Sequence, residues 1–162
     1  MARDRSPVTL AVRVLREHQV EFSEHRYDYV EKGGTAASSQ ALGVPEHAVV
    51  KTLVMEDDQK QPLLVLMHGD KQVSTRNLAR AIGARSVQPC APDVADRHSG
   101  YQVGGTSPFG TRRAMPVYLQ RSVLDLPRVW INGGRRGFLV GLSPEDIVRV
   151  LKPTLVDVAV DA

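Results

Sequence analysis

The sequence predicts a mixed α+β fold, with helices packed on one mixed sheet, in place of a doubly wound parallel sheet. Three observations predict it. A chain of 162 residues fits one domain with one core. Residues 51–56 and 62–67 are β-branched or leucine-rich runs joined by the charged turn Asp57-Asp58-Gln59-Lys60, which reads as a hairpin. The helical segments are only about 8–10 residues long and lie between short strands.

The elements follow in order. Residues 9–17 carry apolar side chains at 10, 11, 14 and 15, the spacing of one helix face. Residues 20–27 read as a strand. Residues 35–42 form a short helix ended by Gly43, which suits a left-handed cap. After the hairpin, Ser74 caps a helix with Leu78, Ala79, Ala81 and Ile82 on one side and Gly83 as its stop. Residues 117–119 and 129–132 are expected to be strands. Ser143-Pro144-Glu145-Asp146 joins a serine cap, a proline at the first helical position and acids in the first turn, so a helix runs from there to about Leu151. Residues 154–160 are a last strand. No repeat, low-complexity tract or linker divides the chain, so residues 1–162 are expected to form a single domain.

Hydrophobic residues make up 42% and charged residues 24%, which excludes a disordered or collagen-like chain. The longest apolar run, Leu63-Leu64-Val65-Leu66-Met67, is far short of the ~20 residues of a membrane span. The start, Met1 to Pro7, is polar, and the apolar stretch after it is broken by Arg13, so neither a secretory signal nor a membrane partner is expected. The chain reads as cytoplasmic. The single cysteine, Cys90, cannot form an internal disulfide or a thiolate cluster, and it reads as a small apolar thiol. Five histidines show no HxH or HExxH spacing, so no metal site is expected.

The net charge is +3, but the distribution says more. Between residues 97 and 136 there are seven arginines (97, 112, 113, 121, 128, 135 and 136) against one acid, Asp125. Arginine suits bidentate phosphate contacts better than lysine does, so the stripe is either a polyanion-binding face or a solvated one.

Three segments could carry chemistry. Lys51 lies in a strand that is apolar on both faces, on the side of Val49, Leu53 and Met55. It either faces the interior, where desolvation lowers its pKa and an anionic ligand restores the charge, or snorkels to water. Residues 100–110, GYQVGGTSPFG, form a long glycine-rich loop. Its amides could make an anion-binding nest, or the segment could be a structural Ω-loop. It lacks the GK[ST] ending of a Walker loop and the preceding strand of a dinucleotide fingerprint. Residues 132–137, NGGRRG, follow a strand; Asn132-Gly133 is a hairpin-turn signal, or the glycines form a second wall of one pocket with arginines at its mouth. His25 and Tyr27 close the first strand as rim or core. His98 precedes the long loop as a candidate base, and a small-molecule hydrolase using Cys90 or His98 is a remote third reading.

Together, Val50-Lys51-Thr52-Leu53, the loop 100–110 and Gly133-Gly134-Arg135-Arg136-Gly137 resemble the VxKTL, GYxxGGxSPxG and GGxRG segments of the YbaK/EbsC-type aminoacyl-tRNA deacylases. That family includes the Cys-tRNA(Pro) deacylases and the editing domain inserted in bacterial prolyl-tRNA synthetases. The likeness covers nearly the whole chain. It implies a mixed, mostly antiparallel, partly closed sheet with surrounding helices. It implies a freestanding editing enzyme that hydrolyses the ester of a mischarged aminoacyl-tRNA, without metal or organic cofactor.

Lys51 matches the lysine most associated with activity, and amides among Gly104, Gly105, Thr106 and Ser107 would stabilise the oxyanion. Tyr27, Gly100, Tyr101, Pro108, Gly133, Gly134 and Arg136 are the candidate substrate-binding residues. Arg112, Arg113 and Arg135 are the candidate tRNA contacts, and an aminoacyl-tRNA synthetase is a further candidate partner. The sequence departs from the family where many relatives carry an acid: Phe138-Leu139-Val140-Gly141 has none. His98 stands where relatives often have a small hydroxyl residue. That departure keeps a second reading open, a non-catalytic module that binds tRNA or a synthetase.

Overall fold

The structure, a computed structural model, describes residues 6–162; the first five residues of the polar start lie outside them. Helix α1 (Leu10–Glu17) begins at Thr9, whose side chain accepts a hydrogen bond from Val12 N at 3.1 Å. Strand β1 (Ser23–Arg26) is shorter than the run 20–27. Helix α2 (Gly34–Leu42) stops at Gly43, which has φ +70° as a left-handed cap requires. A 3₁₀ turn, Glu46–Ala48, leads into the hairpin of β2 (Val49–Asp57) and β3 (Pro62–His68). Next come β4 (Lys71–Val73), α3 (Thr75–Ile82), β5 (Val87–Pro89) and α4 (Pro92–Ser99). After the long loop follow β6 (Val117–Gln120), a 3₁₀ turn (Arg121–Asp125), β7 (Val129–Arg135) and β8 (Phe138–Leu142). Helix α5 (Pro144–Leu151) is capped by the Ser143 side chain, as its sequence requires, and β9 (Thr154–Val156) and β10 (Ala159–Asp161) close the described chain.

The main sheet runs β1-β8-β7-β2-β3-β6-β9, with β5 also paired to β2, and β10 pairs β4 separately. Five pairings are antiparallel, and β2/β7, β3/β6 and β6/β9 are parallel. The sheet is mixed and mostly antiparallel, as expected, but it is open. Its outer strands, β1 and β9, have four and three residues and pair on one edge only, too short to curl round and meet.

One face of the sheet packs Val50, Leu66, Leu119, Ile131 and Val140 against α1 and α5, with Tyr101 and Phe109 of the long loop. The other packs Met55, Leu63, Val65 and Met67 against Leu78 and Ala79 of α3. Every residue of β3 is buried, as expected of an interior strand with neighbours on both edges and both faces covered.

Two expectations are corrected locally. Asn132-Gly133 is not the hairpin turn: β7 continues to Arg135 and the chain reverses at Arg136-Gly137. The Asn132 side chain accepts hydrogen bonds from Gly134 N at 2.7 Å and Arg135 N at 3.1 Å, making a bulge inside the strand. The run 154–160 is two strands in two sheets, split where Gln120 holds the backbone: Gln120 Nε2 donates to Asp157 Oδ1 and Gln120 Oε1 accepts from Val158 N.

Candidate active site

The site begins as a gap in the sheet. One edge of β2 is filled by β3 from Val50 to Glu56. On the other edge, β7 pairs only with Val49 and Val50, and β5 only with Met55 to Asp57. Residues 51–53 therefore face an opening between two neighbouring strands. In a strand, the N–H and C=O of one residue point to the same edge and successive residues alternate. Val49 O accepts from Gly69 N on the β3 side, while Val54 O accepts from Cys90 N on the open side. The parity sends the N–H and C=O of Thr52 into the gap. Its buried Oγ1 has no hydrogen-bond partner either.

A cavity of about 520 Å³ fills this opening. Its floor is β2 from Val49 to Met55, and α2 forms one wall with Thr35, Ala37 and Ser38. Pro89, Cys90 and Ala95 form another, and Val103, Gly104, Thr106, Asn132 and Leu139 close it together with Tyr27 and Tyr29. No Asp or Glu is among the lining residues, and Lys51 is their one formal cation.

Lys51 is half-buried. Burial pulls its ammonium below the ordinary lysine range, and the carboxylates of Glu46 and Asp70 partly restore it. Among the described residues it makes no ion pair. Glu46 is instead held by Thr35, whose hydroxyl donates to Glu46 Oε2 at 2.6 Å.

The long loop is braced from both sides. Tyr101 is buried and donates its hydroxyl to Phe109 O at 2.6 Å; burial pushes its pKa up to about 12. Arg136 reaches across from the β7–β8 turn, donates Nε to Val103 O at 2.9 Å, and lies 4.9 Å above the Tyr29 ring. Asn132 Nδ2 donates to Gly104 O at 3.3 Å. Gly105 N donates to Gln102 O at 2.7 Å, so that amide is already used in the loop's own turn. The amides of Gly104, Thr106 and Ser107 donate to no acceptor among the described residues.

Of the residues the sequence singled out, Lys51, Gly104, Thr106 and Tyr27 line the cavity. Gly100, Gly105, Ser107, Pro108 and Tyr101 do not. Gly100 caps α4 with φ +78°, and buried Ser107 Oγ accepts from Phe109 N at 3.1 Å. Gly133 and Gly134 are not the second wall: a Cβ on Gly133 would fall 2.4 Å from the Phe138 ring, and one on Gly134 would fall 2.9 Å from Tyr101. Their bareness serves packing, and Asn132 forms the wall instead.

Arg135 and Arg136 line an adjoining hollow of about 590 Å³ with Arg26, Asp28 and Tyr27. Tyr27 borders both spaces. Arg112 and Arg113 lie on the exposed stretch after the loop, where their amides bond back to Ser99 O and His98 O. Arg128 is committed elsewhere, donating to Ser23 Oγ and to Gly141 O.

Neither alternative nucleophile is activated. Cys90 lines the cavity, but burial, then Glu56, pushes its thiol pKa up, away from thiolate. His98 is outside it. His47, His68 and Asp70 bring ligating atoms within 4.8 Å of one another. These atoms already bond within the protein: His68 Nδ1 donates to His47 O at 2.7 Å, His68 Nε2 meets Ser122 Oγ at 2.7 Å, and His47 Nδ1 meets Asp70 at 2.9 Å. Sequence reasoning missed Thr52, Asn132 and Leu139; the only signal was that each adjoins or lies within a segment already singled out.

The family model for the aminoacyl-tRNA editing domain matches residues 31–150. The chain is 28% identical over 141 residues to the "Putative Cys-tRNA(Pro)/Cys-tRNA(Cys) deacylase EbsC" of Enterococcus faecalis, covering 86% of each chain. It is 27% identical over 118 residues to a proline–tRNA ligase of Streptococcus thermophilus, covering 72% of this chain and 18% of the ligase. Among solved structures, the hypothetical protein APE2540 superposes with a TM-score of 0.86 at 22% identity, covering 94% of this chain and all of that one. A "putative trans-editing enzyme for prolyl tRNA synthetase" superposes at 0.78 and 22% identity, covering 94% of this chain and 98% of its own. No described helix is long and apolar enough to cross a membrane. The match spans α2 through α5, every wall of the cavity except Tyr27, Tyr29 and Val30, so the site and the family assignment rest on the same residues, and the chain belongs to the aminoacyl-tRNA editing domain family.

Proposed function

We propose that this chain acts in trans, as one editing unit, to hydrolyse the ester between a mischarged amino acid and the 3′ end of tRNA. The substrates are Cys-tRNA(Pro)-like or Ala-tRNA(Pro)-like, with a small uncharged side chain, since the cavity walls are mainly apolar and carry no carboxylate. The observation that carries the reading is the meeting of an unpaired, half-buried ammonium with unspent backbone amides of Gly104 and Thr106 around one cavity.

The ester is already activated, so positioning and charge stabilisation suffice. Water attacks the carbonyl carbon, and the oxyanion is held by the Gly104 and Thr106 amides and by Lys51. Collapse of the tetrahedral species re-forms the carbonyl and breaks the bond to the tRNA 3′-oxygen, which takes up the proton that the attacking water gives up. For a cysteinyl substrate, the substrate's own thiol is the competing attacking group. Arg112, Arg113 and Arg135 contact tRNA phosphates, and a synthetase supplying the mischarged product is the candidate protein partner.

The test is ester loss from a panel including Cys-tRNA(Pro) and Ala-tRNA(Pro). Removal of one such electrostatic stabiliser typically costs ~10²–10³ in rate, so Lys51→Ala falls by that factor. Acceleration of no member of the panel, with wild type equal to Lys51→Ala, refutes the reading. The lack of an acid in Phe138-Leu139-Val140-Gly141, the stretch where many relatives carry one, favours a second reading, a module that binds tRNA or a synthetase without turnover. Salt-dependent tRNA binding without turnover establishes that one.

A further inference from the structure

A second arginine cluster lies outside the stripe between residues 97 and 136. Arg76, Arg80, Arg85, Thr75 and Ser86 line a groove of about 430 Å³ where α3 meets the start of β5. All three arginines are exposed, and none forms an ion pair among the described residues. No acid lines the groove. Asp58 accepts hydrogen bonds from the Arg85 amide at 3.0 Å and from the Ser86 amide, and its carboxylate also feels the Arg85 charge. Arg76 and Arg80 are one helical turn apart, a spacing at which like charges repel. Three guanidiniums around one concavity, with Asp58 acting on Arg85 alone, leave a local excess of positive charge that attracts an anion.

The groove is tied to the cavity by β5. That strand pairs antiparallel to β2, so its far end, Pro89 and then Cys90, lines the cavity while Ser86 lies at the groove. From Ser86 to Cys90 the extended chain spans roughly 13 Å at ~3.3 Å per residue. That is the length of a few nucleotides of backbone.

We infer that the Arg76/Arg80/Arg85 groove holds the phosphodiester backbone of the same tRNA, a few nucleotides from the ester seated in the cavity. This inference rests on the proposed editing function for the identity of the RNA. The contact is to phosphate and carries no sequence reading. It sets tRNA affinity and leaves the chemistry at the ester untouched.

The experiment measures binding of an uncharged tRNA transcript over a range of salt, and hydrolysis of two esters, the mischarged tRNA and a 3′-aminoacyl-adenosine that cannot reach the groove. The variant is Arg76→Ala/Arg80→Ala/Arg85→Ala, compared with the triple Arg→Lys protein. Each lost phosphate contact removes ~0.7–0.9 from the slope of log K against log salt, so the alanine variant loses about 2 to 3. The expected result is at least tenfold weaker binding at physiological salt and unchanged hydrolysis of the short ester. The lysine variant keeps most of the slope, which separates charge from folding. Equal affinity and slope for wild type and alanine variant overturn the inference, as does wild type that binds no tRNA. Wild type that binds tRNA through the groove yet hydrolyses neither ester leaves the groove standing and refutes only the editing reaction.

Discussion

Gly105→Ala isolates the approach of the long loop to the β7–β8 turn. Gly105 does not have a positive φ, so alanine fits its backbone; the obstacle is space. A Cβ would sit 2.6 Å from Arg136 N, 2.8 Å from Arg135 C and 3.1 Å from Arg135 Cα. The first contact is 0.8 Å short of the 3.4 Å at which ordinary contact begins, and it is with backbone that cannot rotate away. The loop must retreat by nearly that distance and carry the flanking Gly104 and Thr106 amides with it. A 1 Å misplacement of positioning groups can cost about 10²-fold in rate, and over-packing costs about 1–3 kcal/mol in stability. Single-turnover deacylation of a mischarged tRNA should therefore fall roughly 10²-fold. Urea denaturation of the same preparation reports the stability loss. A variant that remains folded and deacylates at the wild-type rate refutes the claim that this loop positions the oxyanion donors.

Two further substitutions separate clamp from chemistry. Arg136→Ala removes the bond to Val103 O and the contact over Tyr29, while its 3.9 Å pairing with exposed Glu31 contributes little. The expected loss is about 1–2 kcal/mol by thermal or urea denaturation, with a slower deacylation rate; unchanged stability shows that the loop is held elsewhere. Cys90→Ser keeps the deacylation rate within about a factor of two, since a raised thiol pKa leaves little thiolate to act as nucleophile. Loss of activity in that variant, with thermal stability retained, reinstates a covalent route through Cys90.

The hairpin, α3 and α5 were legible because each has a local cause: β-branched or leucine-rich runs joined by a charged turn, a serine cap, a stop glycine. The motif segments containing Lys51 and Gly104 were legible too. Helix α4 was not, because among its eight residues only Val94 and Ala95 are apolar side chains inside the helix, too few to show a face. Strand β8 escaped because the turn signal falls at Asn132-Gly133, ahead of the true reversal at Arg136-Gly137, and because its run FLVGL is short and holds a glycine. The gap in the sheet could not be read at all. It arises from where β5 and β7 stop along the edge of β2, and each strand lies at least 30 residues away in sequence. For the same reason neither reading of Gly133 and Gly134, a turn or a pocket wall, anticipates that their neighbours are Phe138, Thr9 and Tyr101.

Charge in the cavity sets how the reaction responds to pH. An aminoacyl ester brings an α-amine, and α-amines titrate near ~7.7–8.0. The cavity offers it Lys51 and no carboxylate, so the protonated amine meets a like charge and the neutral amine binds better. The rate should rise with pH through the titration of the substrate amine. It should fall again as Lys51 loses its proton, below the 10.5 of an ordinary lysine because burial disfavours its charge. The stability of the protein carries the matching sign. The unfolded chain holds the Lys51 proton up to the higher pKa, so between the folded and unfolded values it binds more protons and stability rises with pH. Below both values the charged, desolvated ammonium is a standing cost. Lys51→Met should therefore unfold at a higher temperature than wild type near neutral pH, with the difference shrinking as pH climbs toward 10.5. A catalysed rate, corrected for spontaneous ester hydrolysis, that is flat across pH 6 to 9 would show that the amine is not discriminated by charge. A Lys51→Met protein less stable than wild type would show that the ammonium has a partner that offsets its desolvation.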